Sequence, residues 1–254
     1  MDLDPGLAAL RPLGGFFVLR TCGASPHRPL PALAHACREN PADGPGGGLP
    51  YDPLAFRVRK VAAALGAPET RVAASVAHQG LAARLWSVTL GCAALYGRIP
   101  DLDPNLLYWD PDATAPDDLW LAEVRPRPGD AATAAEVVLA THLAPLTAAL
   151  RARYRLAPGL LWGNAASALA ASARELDRWA HRHGRTDAAA RARSLTAGLL
   201  AHPLLAGTGT LTGTAFRRRS CCLYYRVPGG GVCGDCCFSR PPRSPRPPRP
   251  SPSP

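Results

Sequence analysis

Five of the eight cysteines in this 254-residue chain fall within residues 221–237, in the order Cys221-Cys222-LYYRVPGGGV-Cys233-GD-Cys236-Cys237. An adjacent pair, a glycine-rich loop and a C-x-x-C demand a fold that gathers these thiols. Thiolates are soft, charged ligands, and four of them suit Zn²⁺ or an iron–sulfur cluster. C-x-x-C alone also serves redox disulfides, so the pair across the Pro228-Gly229-Gly230-Gly231 turn is the more specific signal. Four readings stay open. In an iron–sulfur site the thiolates hold the irons and the glycines free backbone N–H groups for the sulfurs. A structural zinc site uses four thiolates round one tetrahedral ion. The adjacent pair counts against zinc, because neighbours in an extended segment point to opposite faces. A redox dithiol of Cys233 and Cys236 leaves Cys221 and Cys222 unexplained. Free structural cysteines suit single residues such as Cys22, Cys37 and Cys92, not five in a Gly/Pro loop.

The compartment bears on that choice. No run of 18 apolar residues is present, so no transmembrane helix is expected. Met1-Asp2-Leu3-Asp4 is acidic and leads into no secretory h-region. These features predict a cytoplasmic protein, in which clustered cysteines are read as metal-binding or catalytic rather than as disulfides. The net charge of +10 fits an anionic ligand, an acidic protein, nucleic acid or a membrane surface, and does not choose among them. Lys60 is the only lysine among 29 Lys and Arg. That bias resembles high-GC coding and lowers the weight of arginine as a functional signal. Arg240, Arg243, Arg246 and Arg249 moreover sit in the tail after Phe238.

Hydrophobic periodicity gives a mostly α (α+β) fold: a helical, bundle-like body, a small antiparallel β element and a C-terminal Cys-rich cluster loop. Residues 1–50 form a Gly/Pro-rich segment with one helix near Leu30–Arg38 and a linker over Pro41–Pro50. The body spans 51–208. Leu54, Val58, Val61, Ala62 and Leu65 mark an amphipathic helix from Pro53, and Glu69–Tyr96 continues as helix, broken near Gly80 and ended by Gly97. Leu106–Trp109 and Leu119–Val124 predict an antiparallel strand pair. Helices follow at Ala131–Tyr154, Leu160–His183, stopped by Gly184, and Asp187–His202, capped by Thr186 or Asp187. Residues 209–218 alternate as a strand feeding the cysteine segment, which ends at 238. The Pro/Arg-rich tail, 239–254, predicts a disordered, PPII-like chain.

Other residues have bland readings of equal or greater weight. Arg217, Arg218 and Arg219 precede the cysteines and suit either an anionic partner or a solvated basic strand. Tyr224 and Tyr225 suit packing over the loop better than ligand stacking. His78, Arg84 and Trp86 share a helical segment in which core and surface roles outweigh a pocket. Asn164 follows Trp162-Gly163 at a helix start and reads as a cap. His181 and His183 are two apart and do not share a helix face. Gly207–Gly213 is out of register for a dinucleotide loop, and no Walker A, G-x-S-x-G or H-E-x-x-H occurs.

The pattern C-C-x10-C-x2-C at Cys221, Cys222, Cys233 and Cys236 resembles the motif of the FhuF-type ferric siderophore reductases. Similar flanks are Arg217–Ser220, Leu223–Arg226, the stretch His78-Gln79-Gly80-Leu81-Ala82-Ala83-Arg84-Leu85-Trp86, and Leu161–Asn164. The resemblance runs from about residue 55 to 238. Cys237, directly after the last motif position, departs from it. It implies a [2Fe–2S] cluster on Cys221, Cys222, Cys233 and Cys236, and one-electron reduction of a ferric siderophore that releases Fe²⁺ in the cytoplasm. Since no flavin or nicotinamide site is in view, electrons are expected from a partner such as a ferredoxin or a flavin-dependent reductase. Nucleic acid is not expected as a partner, and peripheral membrane contact stays open. The rival from another class is a zinc-stabilised binding module that recruits an acidic partner or nucleic acid through its arginines.

Overall fold

A computed structural model of the protein describes residues 3–21, 30–37 and 52–242. Helix dominates it. Short helices α1 (Leu3–Ala8) and α2 (Leu33–Ala36) precede α3 (Pro53–Leu65), α4 (Thr70–Tyr96), α5 (Ala131–Tyr154), α6 (Pro158–Arg182) and α7 (Thr186–Leu200). The expected helix at 30–38 shrinks to four residues, and the linker at 41–50, Cys22 and the tail from 243 lie outside the described residues.

Local chemistry sets the ends of α3. Asp52 accepts hydrogen bonds from the N–H groups of Leu54 (2.9 Å) and Ala55 (3.1 Å), Pro53 takes the first turn, and Gly66 closes it with φ +57°. Packing sets the course of α4. It is apolar on every side, as a central helix must be, and packs against α3, α5, α6 and α7. The predicted break at Gly80 does not occur. The cost of one helical glycine, about 1 kcal/mol, is outweighed by burial on both sides of it, from Val72 to Ala94. Trp86 is fully buried and donates from Nε1 to the Ala165 carbonyl on α6 at 3.1 Å. Gly91 lets the N-terminal segment lie close, since a Cβ there would stand 2.9 Å from the Phe17 ring.

Among the described residues three small sheets decorate the helices. Strands β3 (Leu107–Trp109) and β4 (Leu119–Leu121) pair antiparallel as predicted, with Tyr108 opposite Trp120. The N-terminal segment adds β1 (Arg20–Thr21), parallel to β4, which the sequence did not reveal. Strands β2 (Arg98–Pro100) and β5 (Pro126–Pro128) form a second pair. Arg84 of α4 ties these parts together. It bonds Asp118 at 2.7 Å, the Val18 carbonyl at 2.6 Å and the Phe16 carbonyl, with Arg84 and Asp118 both nearly sealed from solvent.

Helix α5 contains a π-helical stretch, Glu136–Leu143, which aims His142 Nε2 at the Leu102 carbonyl, 2.6 Å away. Helix α5 has 24 residues, and its most apolar 18-residue window, of mean hydropathy 1.3, is long and apolar enough to cross a membrane, yet 61 % of that window is buried inside this fold. Its apolar content therefore serves the core.

Two outcomes follow from these buried polar groups. Arg84→Ala leaves Asp118 buried and unpaired, so urea unfolding should show a loss of about 3–5 kcal/mol. Burial holds His142 near pKa 4, and burial with the nearby Arg218 charge holds His78 near 3, both below the ordinary 6.5. Because the unfolded chain binds those protons first, stability should fall as pH drops below about 6.5, by about 2 kcal/mol or more at pH 5. A flat urea midpoint between pH 7 and 5 would contradict this.

Candidate metal centre

The C-terminal hairpin delivers the cysteines. Strands β6 (Gly209–Thr212) and β7 (Ala215–Arg218) pair antiparallel and turn at Gly213, φ +59°. Side chains alternate along β7, so Phe216 and Arg218 point inward while Arg217 points out, as does Arg219 beyond the strand end. The chain then runs through Ser220 to the adjacent pair. Cys222 is buried and Cys221 half-buried. Leu223 takes a left-handed conformation (φ +69°), a short 3₁₀ turn follows at Tyr224–Arg226, and Gly229 (φ +68°) reverses the chain. Gly230 sits where a Cβ would press on the Tyr224 and Val227 carbonyls at 2.7 and 2.8 Å, so glycine is sterically required there. The Cys236 N–H donates to the Cys233 carbonyl at 3.0 Å, closing the C-x-x-C turn.

Two long helices clamp this loop. Ser75 of α4 donates to the Cys222 carbonyl at 2.8 Å, and Asn164 of α6 donates to the Ser75 carbonyl at 2.9 Å. The Asn164 carbonyl oxygen accepts from Arg218. Ser167 Oγ donates to Asp235 at 2.6 Å, Arg174 reaches the other Asp235 oxygen at 3.4 Å, and the Arg218 N–H donates to the Asp235 carbonyl at 2.9 Å. Asn164 is thus an interior residue of α6 and not the cap its position after Trp162-Gly163 suggested. A local rule could not anticipate a partner 89 residues away.

The structure places Cys222 Sγ 3.5 Å from Cys233 Sγ. Two thiolates on one tetrahedral ion with bonds of about 2.3 Å stand about 3.8 Å apart, so this pair already has the spacing of two ligands to one metal. Cys221 Sγ accepts from the Leu223 N–H at 3.2 Å and Cys236 Sγ from the Phe238 N–H at 3.4 Å. Such N–H···S bonds stabilise thiolate charge. The paired thiols titrate together. Hydrogen bonding from Cys233, with Arg218 nearby, brings Cys222 down to about 6, while the same bond pushes Cys233 up. Burial raises Cys221 to about 11 and also raises Cys237. Among the described residues no three His, Cys, Asp or Glu side chains gather round one point.

The remaining predicted residues divide plainly. Cys92 is buried and Cys37 half-buried, and burial pushes both thiols up, which makes them inert. Tyr225 packs edge-on against Phe238 with ring centroids 6.0 Å apart, and Arg226 pairs with Glu69, the residue just before α4. His78 and Trp86 are buried in the core, whereas Arg84 borders a cavity of about 410 Å³ with Phe16 and Trp109. His181 is exposed and bonded to its own helix.

Gly163 of α6 allows the cysteine strand to approach. A Cβ there would lie 2.5 Å from Ser220 Oγ and 3.3 Å from the Arg218 guanidinium. Gly163→Ala should therefore loosen the cysteine segment, and iron retention through gel filtration should drop several-fold while helical circular dichroism is kept. Equal iron content would contradict the clamp.

No curated protein matches the chain. Residues 218–238, which run from Arg218 through the whole cysteine loop to Phe238, match the family model of the FhuF 2Fe-2S C-terminal domain, so this segment is an iron–sulfur unit and its cofactor is a [2Fe–2S] cluster.

Proposed function

We propose that the protein is a ferric siderophore reductase in which Cys221, Cys222, Cys233 and Cys236 hold the [2Fe–2S] cluster. The observation that carries this reading is the Cys222–Cys233 pair at 3.5 Å, clamped to α4 and α6 inside the matched segment. When bound, the cluster supplies one electron at a time, within a window of about −700 to +450 mV set by its surroundings. Siderophores bind Fe³⁺ through hard oxygen donors and hold Fe²⁺ far more weakly, so one electron opens the complex without ligand hydrolysis. The electron comes from a protein donor such as a ferredoxin or a flavin-dependent reductase, and the products are Fe²⁺ and the iron-free siderophore. The cytoplasm, where thiols stay reduced, is the compartment this chemistry asks for.

The chain's own residues support transfer at the surface. Cys221, Cys233, Cys236 and Cys237 are half-buried, and Val232 and Phe238 beside them are exposed, so the site has a short path to solvent. Exposed Arg217 and Arg219 put positive charge next to it, which favours an anionic chelate or an acidic donor. Burial of Cys222 against Ser75 keeps the opposite side closed.

Two measurements test the proposal. Cluster-loaded protein reduced with dithionite and freed of excess reductant should regain its oxidised spectrum on mixing with a ferric hydroxamate, with about one Fe²⁺ trapped per electron lost; no reoxidation would exclude the activity. Cys222→Ser or Cys233→Ser should abolish the visible absorption, whereas Cys237→Ser should keep it. Bleaching by Cys237→Ser would move the fourth ligand from Cys236 to Cys237.

A further inference from the structure

Among the described residues two arginines are sealed inside this protein, Arg84 and Arg218, and they are held differently. Arg84 has a carboxylate, Asp118, at 2.7 Å. Arg218 is 2 % exposed, and its guanidinium meets only neutral acceptors: the Ser220 carbonyl at 3.2 Å, the Leu160 carbonyl at 3.3 Å, Gln79 Oε1 at 3.3 Å and Asn164 Oδ1. Among the described residues no carboxylate pairs with it. Asp235 is adjacent but turns its carboxylate to Ser167 and Arg174, offering Arg218 only a backbone carbonyl. His78, the nearby titratable group, is held neutral. A buried guanidinium without an anion is costly, because buried charges are ordinarily paired.

The anion is on the same loop. Arg218 is built into that loop: its N–H donates to the Asp235 carbonyl, between Cys233 and Cys236, at 2.9 Å, and its guanidinium to the Ser220 carbonyl, one residue before Cys221, at 3.2 Å. In a [2Fe–2S] centre, four thiolates and two sulfides outweigh two ferric ions, leaving a net charge of about −2 that deepens by one on reduction. We infer that Arg218 is the buried counter-cation of the iron–sulfur centre and raises its reduction potential. The inference rests on the [2Fe–2S] reading of residues 218–238. A cation at that position stabilises the reduced state more than the oxidised one, since the reduced state carries the extra electron. Shielded from water and salt, it acts at full strength, unlike exposed Arg217 and Arg219. Arg218 is thus a residue that sets the driving force and touches neither substrate nor donor.

The test is a spectroelectrochemical titration of the visible absorption in full-length, cluster-loaded protein. The wild type is measured first: absence of a cluster there sinks the underlying reading, separately from this one. Arg218→Gln should lower the equilibrium constant for one-electron reduction by about tenfold or more, a fall of about 59 mV per tenfold step. Arg218→Lys, which keeps the charge, should stay within about threefold of wild type, and Arg219→Gln should behave as wild type in 0.5 M salt. Gln79→Glu offers Arg218 a carboxylate with hardly any change of shape, so it too should lower the potential, and it decides the matter if Arg218→Gln fails to retain iron. An unchanged potential in cluster-loaded Arg218→Gln, or in Gln79→Glu, overturns the proposal, as does a lysine variant that falls as far as glutamine.

Discussion

The hydrogen-bonded chain Arg218–Asn164–Ser75–Cys222 joins the C-terminal loop to the two longest helices, and the site depends on it. A glycine-rich loop with half-exposed thiols has little apolar surface of its own to bury. Its order comes from outside: Ser75 fixes the Cys222 carbonyl, Ser167 fixes Asp235, and Arg218 bridges the strand to both helices. Each of these groups is buried and polar, so an incomplete network costs more than none. That economy requires α4 and α6 to be rigid and close, which Trp86, the Ser87–Ser172 contact at 2.9 Å and the alanine-rich faces provide.

The same arrangement explains how the segment serves redox chemistry. Electron transfer needs a centre near the surface, yet its potential must be insulated from the solvent's fluctuating charges. Here Cys221, Cys233 and Cys236 sit at the rim and Cys222 below them, while the charge of Arg218 lies underneath, sealed between α4, α6 and β7. Rim and floor thus separate access from tuning. The positive charge of the exposed face, carried by Arg217 and Arg219, then acts on encounter rates and is screened by salt.

Much of this was legible in the sequence because it is local. The periodicity of Leu54, Val58, Val61 and Leu65, the capping Asp52 and the cysteine spacing all act over a few residues, and α3, the long helices and the cysteine loop appear where they predict. What escaped depends on partners far along the chain. Gly80 reads as a breaker until both flanks of α4 are seen to be buried. Asn164 reads as a cap until Ser75 and Arg218 are found beside it. Strand β1 is too short to carry a pattern, and it exists because β4 offers an edge. In sequence Arg218 reads as one of three like arginines, Arg217–Arg219, that suit an anionic partner or a solvated strand equally. The alternation of β7, with Phe216 and Arg218 on one face, was the signal that could have singled it out.

The central claim is that residues 218–238 hold two irons on paired thiolates, and spectra of anaerobically purified protein test it most directly. Visible absorption and EPR should be recorded as isolated and after dithionite, with iron and sulfide counted. The account predicts broad visible absorption that bleaches on reduction, with an EPR signal of about one spin per two irons. A colourless protein that carries zinc after careful reconstitution with iron and sulfide would contradict it.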